Sequence, residues 1–420
     1  MIKSITVAPG VTLRAMKTDK FKTSCFSVNF LRPHQAETAA LDALLPSVLL
    51  RATEQYPDIR RISMRLDELY GASFGTLIRR KGEIKLVGFY ADYIEDAFLP
   101  EGETVFAPML DFLEEVLYHP LTENGVFCEK NVEGEKQNLI NAIESSLNDK
   151  RSYAVSKMLQ TMCAGEAYGV PRLGRAEDVE IITPQSLWEH YQRVLHTSRV
   201  ELFYAGRQEP EAVAKQFARV FAGKTDGTAV PVGTKVIRTV KEPKELSEAM
   251  DVTQGKLVIG LRTGVTVEDP DYPALVLLNA VYGAGTTSKL FVNVREKLSL
   301  CYYANASLEK YKGIMVVSSG VDFANFERAK QAILGELEAC KQGKMSEEEI
   351  ENARLMMLSA LRASMDAPVQ LDEYYMGAAI ARVDTIPDLM EKIRRITAEE
   401  LTAAARKLTV DTVFFLKGEV

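Results

Sequence analysis

Apolar positions along this 420-residue chain alternate between a period of two and a helical period, and they do so in the same order twice. In the first half, Ile5–Thr12 and Thr23–Phe30 are short runs of β-branched and aromatic residues and predict strands. Ala39–Leu50 is apolar almost throughout and predicts a buried helix. Ile59–Leu69 carries Ile62, Leu66 and Leu69 on one stripe and predicts a second helix, with Gly71 as its C-terminal stop. Strands are expected at Phe74–Arg80 and Ile84–Tyr90, then long helices over 104–118, 124–148 and 152–163.

The second half repeats the order. Lys256–Arg262 reads as a strand, Pro273–Val281 as a buried helix and Ser288–Lys297 as a shorter one. Strands 301–309 and 313–320 meet at the tight connection Lys312-Gly313, and helices follow at 323–341, 346–363 and 368–381. Each half closes alike. The helix opened by Thr183-Pro-Gln-Ser-Leu187 leads to strand Val200–Tyr204, and the one opened by Thr397-Ala-Glu-Glu-Leu401 leads to strand Thr412–Leu416. Thr397 and Glu400 have the spacing of a capping box. Residues 222–246 are rich in Gly, Pro, Thr and Lys and lack a sustained period. The expected organisation is therefore 1–222, a linker over 223–246, and 247–420. The fold class is α+β: two repeated α/β-sandwich halves, each a mixed, mostly antiparallel sheet with helices packed on it.

Composition adds exclusions. Hydrophobic residues make up 46% and charged residues 26%, enough to build cores without staples. The formal net charge of -7 argues against a broad nucleic-acid footprint. Cys25, Cys128, Cys163, Cys301 and Cys340 are scattered and contain no CxxC pair, which fits a reducing compartment. No apolar signal core opens the chain and no apolar run is long enough to span a bilayer, so a cytoplasmic location without membrane contact is expected.

The most specific segment is Ser288-Lys-Leu-Phe-Val-Asn-Val-Arg-Glu-Lys-Leu-Ser-Leu-Cys-Tyr302, preceded by Gly283-Ala-Gly285. With two α+β halves and a linker, it resembles the pitrilysin / mitochondrial-processing-peptidase family of inverzincins across nearly the whole chain. In that family a helix ending in Arg-Glu-Lys is followed, seven residues after the Arg, by a Tyr. The resemblance implies that this pair holds the substrate backbone, and here the pair is Arg295 and Tyr302. Read alone, they are an exposed helix arginine and a half-buried strand tyrosine. Their chemistry suits the implied role. Arginine offers a fixed, planar set of donors, and a tyrosine hydroxyl can donate to an oxygen that gains charge.

The same resemblance exposes a loss. The family's metal motif is H-x-x-E-H on the first long helix, with a third ligand from a downstream helix. The helix Ala43-Leu-Leu-Pro46-Ser47 places Ala43 and Ser47 at the two histidine positions and Pro46 at the general base. Downstream, the stretch opened by Glu135 places Ala142 at the third ligand. These are degenerate metal-site positions, because alanine has no donor and a serine hydroxyl is a poor zinc ligand. Pro46 also requires that the helix bend there or begin nearby. His34, His119, His190 and His196 have no spacing that shares a helix face. His119 is expected to cap a helix C-terminus.

Other features have plainer readings. Gly283 and Gly285 lack a following GK[ST] and are read as a packing turn. Glu129, Glu133 and Glu135 are read as a solvated helix face. Arg79-Arg80-Lys81 is read as a solvated hairpin turn.

The resemblance implies a non-catalytic peptidase homologue. No cofactor or metal is expected in this chain, and no proteolysis by it alone. Its expected partners are a zinc-bearing homologous subunit, with which it forms a heterodimeric metallopeptidase, and extended peptides added to a sheet edge. Two readings stay open at this point. One is a scaffold or peptide-binding homodimer without proteolysis, and the other is an active metallopeptidase with a non-standard site.

Overall fold

The computed structural model describes residues 2–223 and 230–419. The chain opens with β1 (Ile2–Ala8), β2 (Val11–Lys17) and β3 (Thr23–Pro33), then α1 (Ala36–Leu49) and α2 (Ile59–Glu68). The hairpin β4 (Ser73–Lys81) and β5 (Ile84–Ile94) leads to α3 (Phe106–Tyr118) and the short pair β6 (Thr122–Glu123) and β7 (Val126–Phe127). Helices α4 (Glu129–Asn148), α5 (Lys150–Met162), α6 (Ala176–Glu180) and α7 (Pro184–Thr197) precede β8 (Arg199–Gly206) and α8 (Pro210–Val220).

The second series is β9 (Lys244–Met250), β10 (Gly255–Arg262), α9 (Tyr272–Tyr282), a π-helical segment Leu290–Lys297, β11 (Cys301–Glu309) and β12 (Ile314–Val321). It ends with α10 (Phe326–Lys341), α11 (Glu347–Ser364), α12 (Pro368–Tyr375), α13 (Ile386–Arg395), α14 (Ala398–Arg406) and β13 (Thr409–Gly418).

The first sheet runs β1-β2-β8-β3-β5-β4 and the second β9-β13-β10-β12-β11. Apart from β1, the two orders are one topology written twice. In both, the last strand lies parallel to the first member of the repeat, as β2–β8 and β9–β13, and antiparallel to the next. The α+β repeat thus stands, with mixed and mostly antiparallel sheets.

Two local readings change. Ile5–Thr12 is not one strand but parts of β1 and β2, whose pairing sets Ile2 opposite Met16. Pro9 cannot donate to a ladder and Gly10 takes a φ of 68°, so the chain reverses there. The expected linker 223–246 contains the start of β9, and residues 224–229 of it lie outside the described residues. β9 is an edge strand with Lys244, Glu245 and Ser247 exposed, so it lacks the apolar alternation that would reveal it.

The chain forms two compact units. One comprises residues 1–144, 170–233 and 367–380, and the other 145–169, 234–366 and 381–420. Relative to a division at the linker, each half gives a segment to the other unit. Helix α5 packs on β10 and β13. It buries Tyr153, Ala154, Met158 and Met162 in a cluster with Val258, Phe414 and Leu416. Gly260 permits this approach, since a Cβ there would meet the sulfurs of Met158 and Met162 at 2.5 and 2.6 Å.

Helix α12 packs on β3 and β8 in the first unit. Its Asp372 is fully buried and accepts from Ser27 Oγ at 2.7 Å and from the Arg79 guanidinium, while Lys81 pairs with Glu373. This corrects the reading of Arg79-Arg80-Lys81 as a solvated turn. Those residues lie on β4, and Arg79 and Lys81 meet carboxylates supplied from near the other end of the chain.

Candidate functional site

Helix α1 is apolar nearly all round and is buried accordingly. Pro46 is neither its start nor its end. The helix runs through it, and the N–H of Leu50 still reaches the Pro46 carbonyl at 3.0 Å. Proline has no N–H to give the Asp42 carbonyl one turn earlier, and its place near the C-terminus limits the loss to that bond.

The four degenerate positions are therefore placed. Ala43 and Pro46 are buried in α1, Ser47 is half-buried there, and Ala142 is exposed on α4. Their side chains offer one hydroxyl in total, a donor set that does not fit zinc. Glu135 is engaged with Arg51, just past the end of α1, at 3.3 Å. Among the described residues no three His, Cys, Asp or Glu side chains converge as a metal site.

The histidines have structural partners. His119 is the C-terminal cap residue of α3. His34 is buried at the end of β3 with Nε2 3.0 Å from the Val170 carbonyl. His190 is fully buried, with Nε2 2.8 Å from Asp42 Oδ1. Burial opposes ionisation of Asp42, but the His190 hydrogen bond and the Lys85 and Arg32 cations outweigh it and hold its pKa below the usual carboxylate value. Asp42 is adjacent to Ala43, so this polar pair sits directly beside one of the positions that the sequence resemblance singles out.

Arg295 and Tyr302 line one cleft of about 400 Å³, together with Glu296, Ser299, Leu300, Cys301 and Asp322. Three backbone irregularities shape it. Arg295 lies on the π-helical segment, where the Leu298 N–H skips a residue to reach the Asn293 carbonyl at 3.1 Å. Ser299 follows with a φ of 49°, an uncommon conformation for a residue with a Cβ. The β11–β12 register then shifts between Cys301 and Tyr303, so Tyr302 occupies a β-bulge. The bulge turns Tyr302 outward and leaves it 61% exposed, where the sequence suggested a half-buried strand residue.

The Tyr302 hydroxyl donates to Asp322 Oδ1 at 3.2 Å. The Arg295 guanidinium lies 4.5 Å from the centroid of the Phe291 ring and 3.4 Å from Glu296. Gly283 sets the approach of this segment to β11, since a Cβ there would come within 2.5 Å of the Ala306 Cβ. Gly285 takes a φ of 96°. The two glycines thus act as the expected packing turn.

Asp322 was not visible in the sequence as part of this group. It lies twenty residues after Tyr302, and only the β11–β12 pairing brings the two together. Strands β11 and β4 are edge strands of their sheets and occupy corresponding places in the repeat. Each leaves one side of its backbone ladder unpaired within its sheet.

Comparison with known proteins agrees with this description. A family model described as peptidase M16 inactive domain matches residues 182–357. The probable inactive metalloprotease YmfF of Bacillus subtilis is 33% identical over 410 residues, covering 97% of this chain and 96% of that protein. A solved structure of a conserved protein from Enterococcus faecalis covers 100% of this chain and 99% of its own, with 30% identity and a TM-score of 0.91. The structure of a peptidase M16 inactive domain from Pseudomonas fluorescens covers 100% and 98%, and its TM-score of 0.82 at 16% identity marks a shared fold. No helix among the described residues is long and apolar enough to cross a membrane. With homology along nearly its full length to a probable inactive metalloprotease, the chain belongs to the M16 peptidase family, as a zinc-less member.

Proposed function

We propose that this chain binds extended peptides and acts as the non-catalytic subunit of a two-chain metallopeptidase, contributing Arg295 and Tyr302 to a zinc-bearing homologous partner. One observation carries the reading: the two sets of family positions have met different fates. The ligand and base positions hold Ala43, Pro46, Ser47 and Ala142, which do no metal chemistry. The clamp positions hold the donor-bearing residues, and both line a cleft built from a π-helical segment and a β-bulge. Such irregularities forgo regular hydrogen bonding and recur near functional sites.

In this role Arg295 donates to peptide carbonyl oxygens through its planar fork, with Phe291 beneath it limiting its orientation. The Tyr302 hydroxyl turns from Asp322 to donate to the same backbone. The edge strands β4 and β11 offer main-chain pairing, which binds peptide with little dependence on sequence. A cytoplasmic setting fits five free, buried cysteines.

The test is reconstitution. The chain is mixed with zinc-motif homologues from the same cell, and cleavage of a quenched fluorescent peptide is followed. Activity is expected for the pair, absent for this chain alone, and reduced about a hundredfold or more by Arg295→Ala in this chain. Full cleavage with Arg295→Ala present excludes the contribution of Arg295.

A further inference from the structure

The two sheets differ by one strand. In the first, β1 lies on β2, whereas β9, which holds the place of β2 in the repeat, has only β13 beside it and forms the edge. The Met250 carbonyl accepts from the Glu419 N–H at 3.2 Å, so Met250 turns its backbone toward β13. Backbone direction alternates along a strand. Lys244, Leu246 and Glu248 therefore also turn theirs toward β13, and Glu245, Ser247 and Ala249 turn theirs outward. The side chains of Lys244, Leu246 and Glu248 share the face toward α5, where Lys244 Nζ donates to the Thr161 carbonyl at 3.0 Å and the Tyr153 hydroxyl donates to Glu248 at 2.5 Å. Leu246 between them is 40% exposed. Charges of one sign on an open edge repel a second strand. On β9 the signs are opposed, with Lys244 two residues before Leu246 and Glu248 two residues after it.

We propose that β9 is a self-association surface, pairing antiparallel with β9 of a second copy of this chain about a two-fold axis at Leu246. In this register Lys244 of each copy lies opposite Glu248 of the other, and the two Leu246 side chains meet. These are the pairs without backbone hydrogen bonds, whose side chains approach most closely. Glu245 and Ser247 lie opposite one another and exchange backbone hydrogen bonds through the groups they turn outward. Pro243, with no N–H to donate, limits the ladder at its end. The charges select this register. A shift one way sets Glu248 opposite Leu246, a shift the other way sets it opposite Glu242, and in-register parallel pairing sets each charge opposite itself. The interface is isologous and closes at two copies. A strand this short buries less surface than a permanent dimer needs, so the association is weak and reversible, with a Kd of about 10–100 µM. The cleft with Arg295 and Tyr302 lies at β11, the opposite edge of the same sheet, and stays open. The proposal does not depend on the peptide-binding reading.

The experiment is sedimentation velocity of the full-length chain from about 1 to 300 µM, where a reversible monomer–dimer equilibrium is expected. Lys244→Glu and Glu248→Lys are each expected to weaken the dimer about tenfold or more, because like charges then face each other at both ends of the pairing. Mixed in equal amounts, these two variants are expected to form a heterodimer as strong as the wild-type dimer, since every charge again meets its opposite. Ser247→Pro removes an outward N–H without touching the β13 ladder and is expected to abolish association, with circular dichroism reporting whether the chain stays folded. A monomer at every concentration overturns the proposal. So does a dimer unchanged by both charge reversals, or a pair of weakened variants that fails to associate on mixing.

Discussion

Arg262 and Glu166 form a buried ion pair at 2.7 Å, joining the end of β10 to the segment that follows α5. Arg262 also meets Asp411 at 2.9 Å and the Met162 carbonyl at 3.1 Å, while Lys312 reaches Glu166 at 2.6 Å. The first unit has a parallel arrangement, with Asp372 and Glu373 in the second half of α12 held by Arg79 and Lys81 of β4. In each unit, then, a segment contributed by the other half of the sequence is fastened by charges most of which are taken out of water. Such a pair adds little over an apolar substitute, but removing one partner leaves the others buried and unpaired.

From this follows a stability prediction. Arg262→Ala leaves Asp411 without its cation and Glu166 with Lys312 alone, and is expected to cost about 3–5 kcal/mol. Thermal melting followed by circular dichroism should show a fall of several degrees, while Arg238→Ala, which removes an exposed pair with Asp269, should change it little.

The segment exchange makes a second prediction. A fragment of residues 1–222 lacks residues 367–380, which its unit uses to cover Ser27 and Arg79. It is expected to be insoluble or to unfold without a cooperative transition. Co-expression of 1–222 with 223–420 should restore a soluble complex, measurable by co-purification on a single tag. A well-folded 1–222 fragment would count against the exchange as a requirement for folding.

His34 gives a pH dependence. Burial, together with the nearby Lys85 and Arg80 cations, pulls its pKa from 6.5 down to about 4, against the pull of the Val170 carbonyl. Between those two values the unfolded chain binds a proton that the folded chain refuses, so stability falls as pH drops through this window. The contribution is at most about 3 kcal/mol. Melting temperatures from pH 7 to pH 4 should decline more steeply in the wild-type chain than in His34→Gln, which keeps a donor for Val170 without the titration.

Gly283 links packing to the cleft. In Gly283→Ala the new methyl meets the Ala306 backbone nitrogen at 2.8 Å, which no side-chain rotation relieves. The substitution is expected to cost about 1–3 kcal/mol and to displace the π-helical segment carrying Arg295. Peptide affinity should fall in this variant at temperatures where circular dichroism still reports a folded chain.

For the metal, the expected result is that zinc added in excess and dialysed away leaves less than one ion for every several chains, as read by atomic absorption. The donor set at residues 43, 46, 47 and 142 is the reason, since stable zinc sites need three or four strong ligands.

Much of this protein is set by local sequence. Period and turn chemistry place most of the strand and helix cores, and Thr397 with Glu400 forms the capping box that its spacing implies, at 2.8 and 3.3 Å. The absence of zinc ligands is equally a property of sequence, because a side chain without donors has none in any fold. One missed strand has a plain physical cause. β9 is a polar edge strand whose partner β13 lies at the far end of the chain, and an edge strand need not alternate. Tertiary structure decided the rest. The exchange of α5 and α12, the burial of Arg79 beside Asp372, and the bulge that turns Tyr302 toward Asp322 all join residues distant in sequence. Such pairings depend on strand register and burial, which no local pattern of residues encodes.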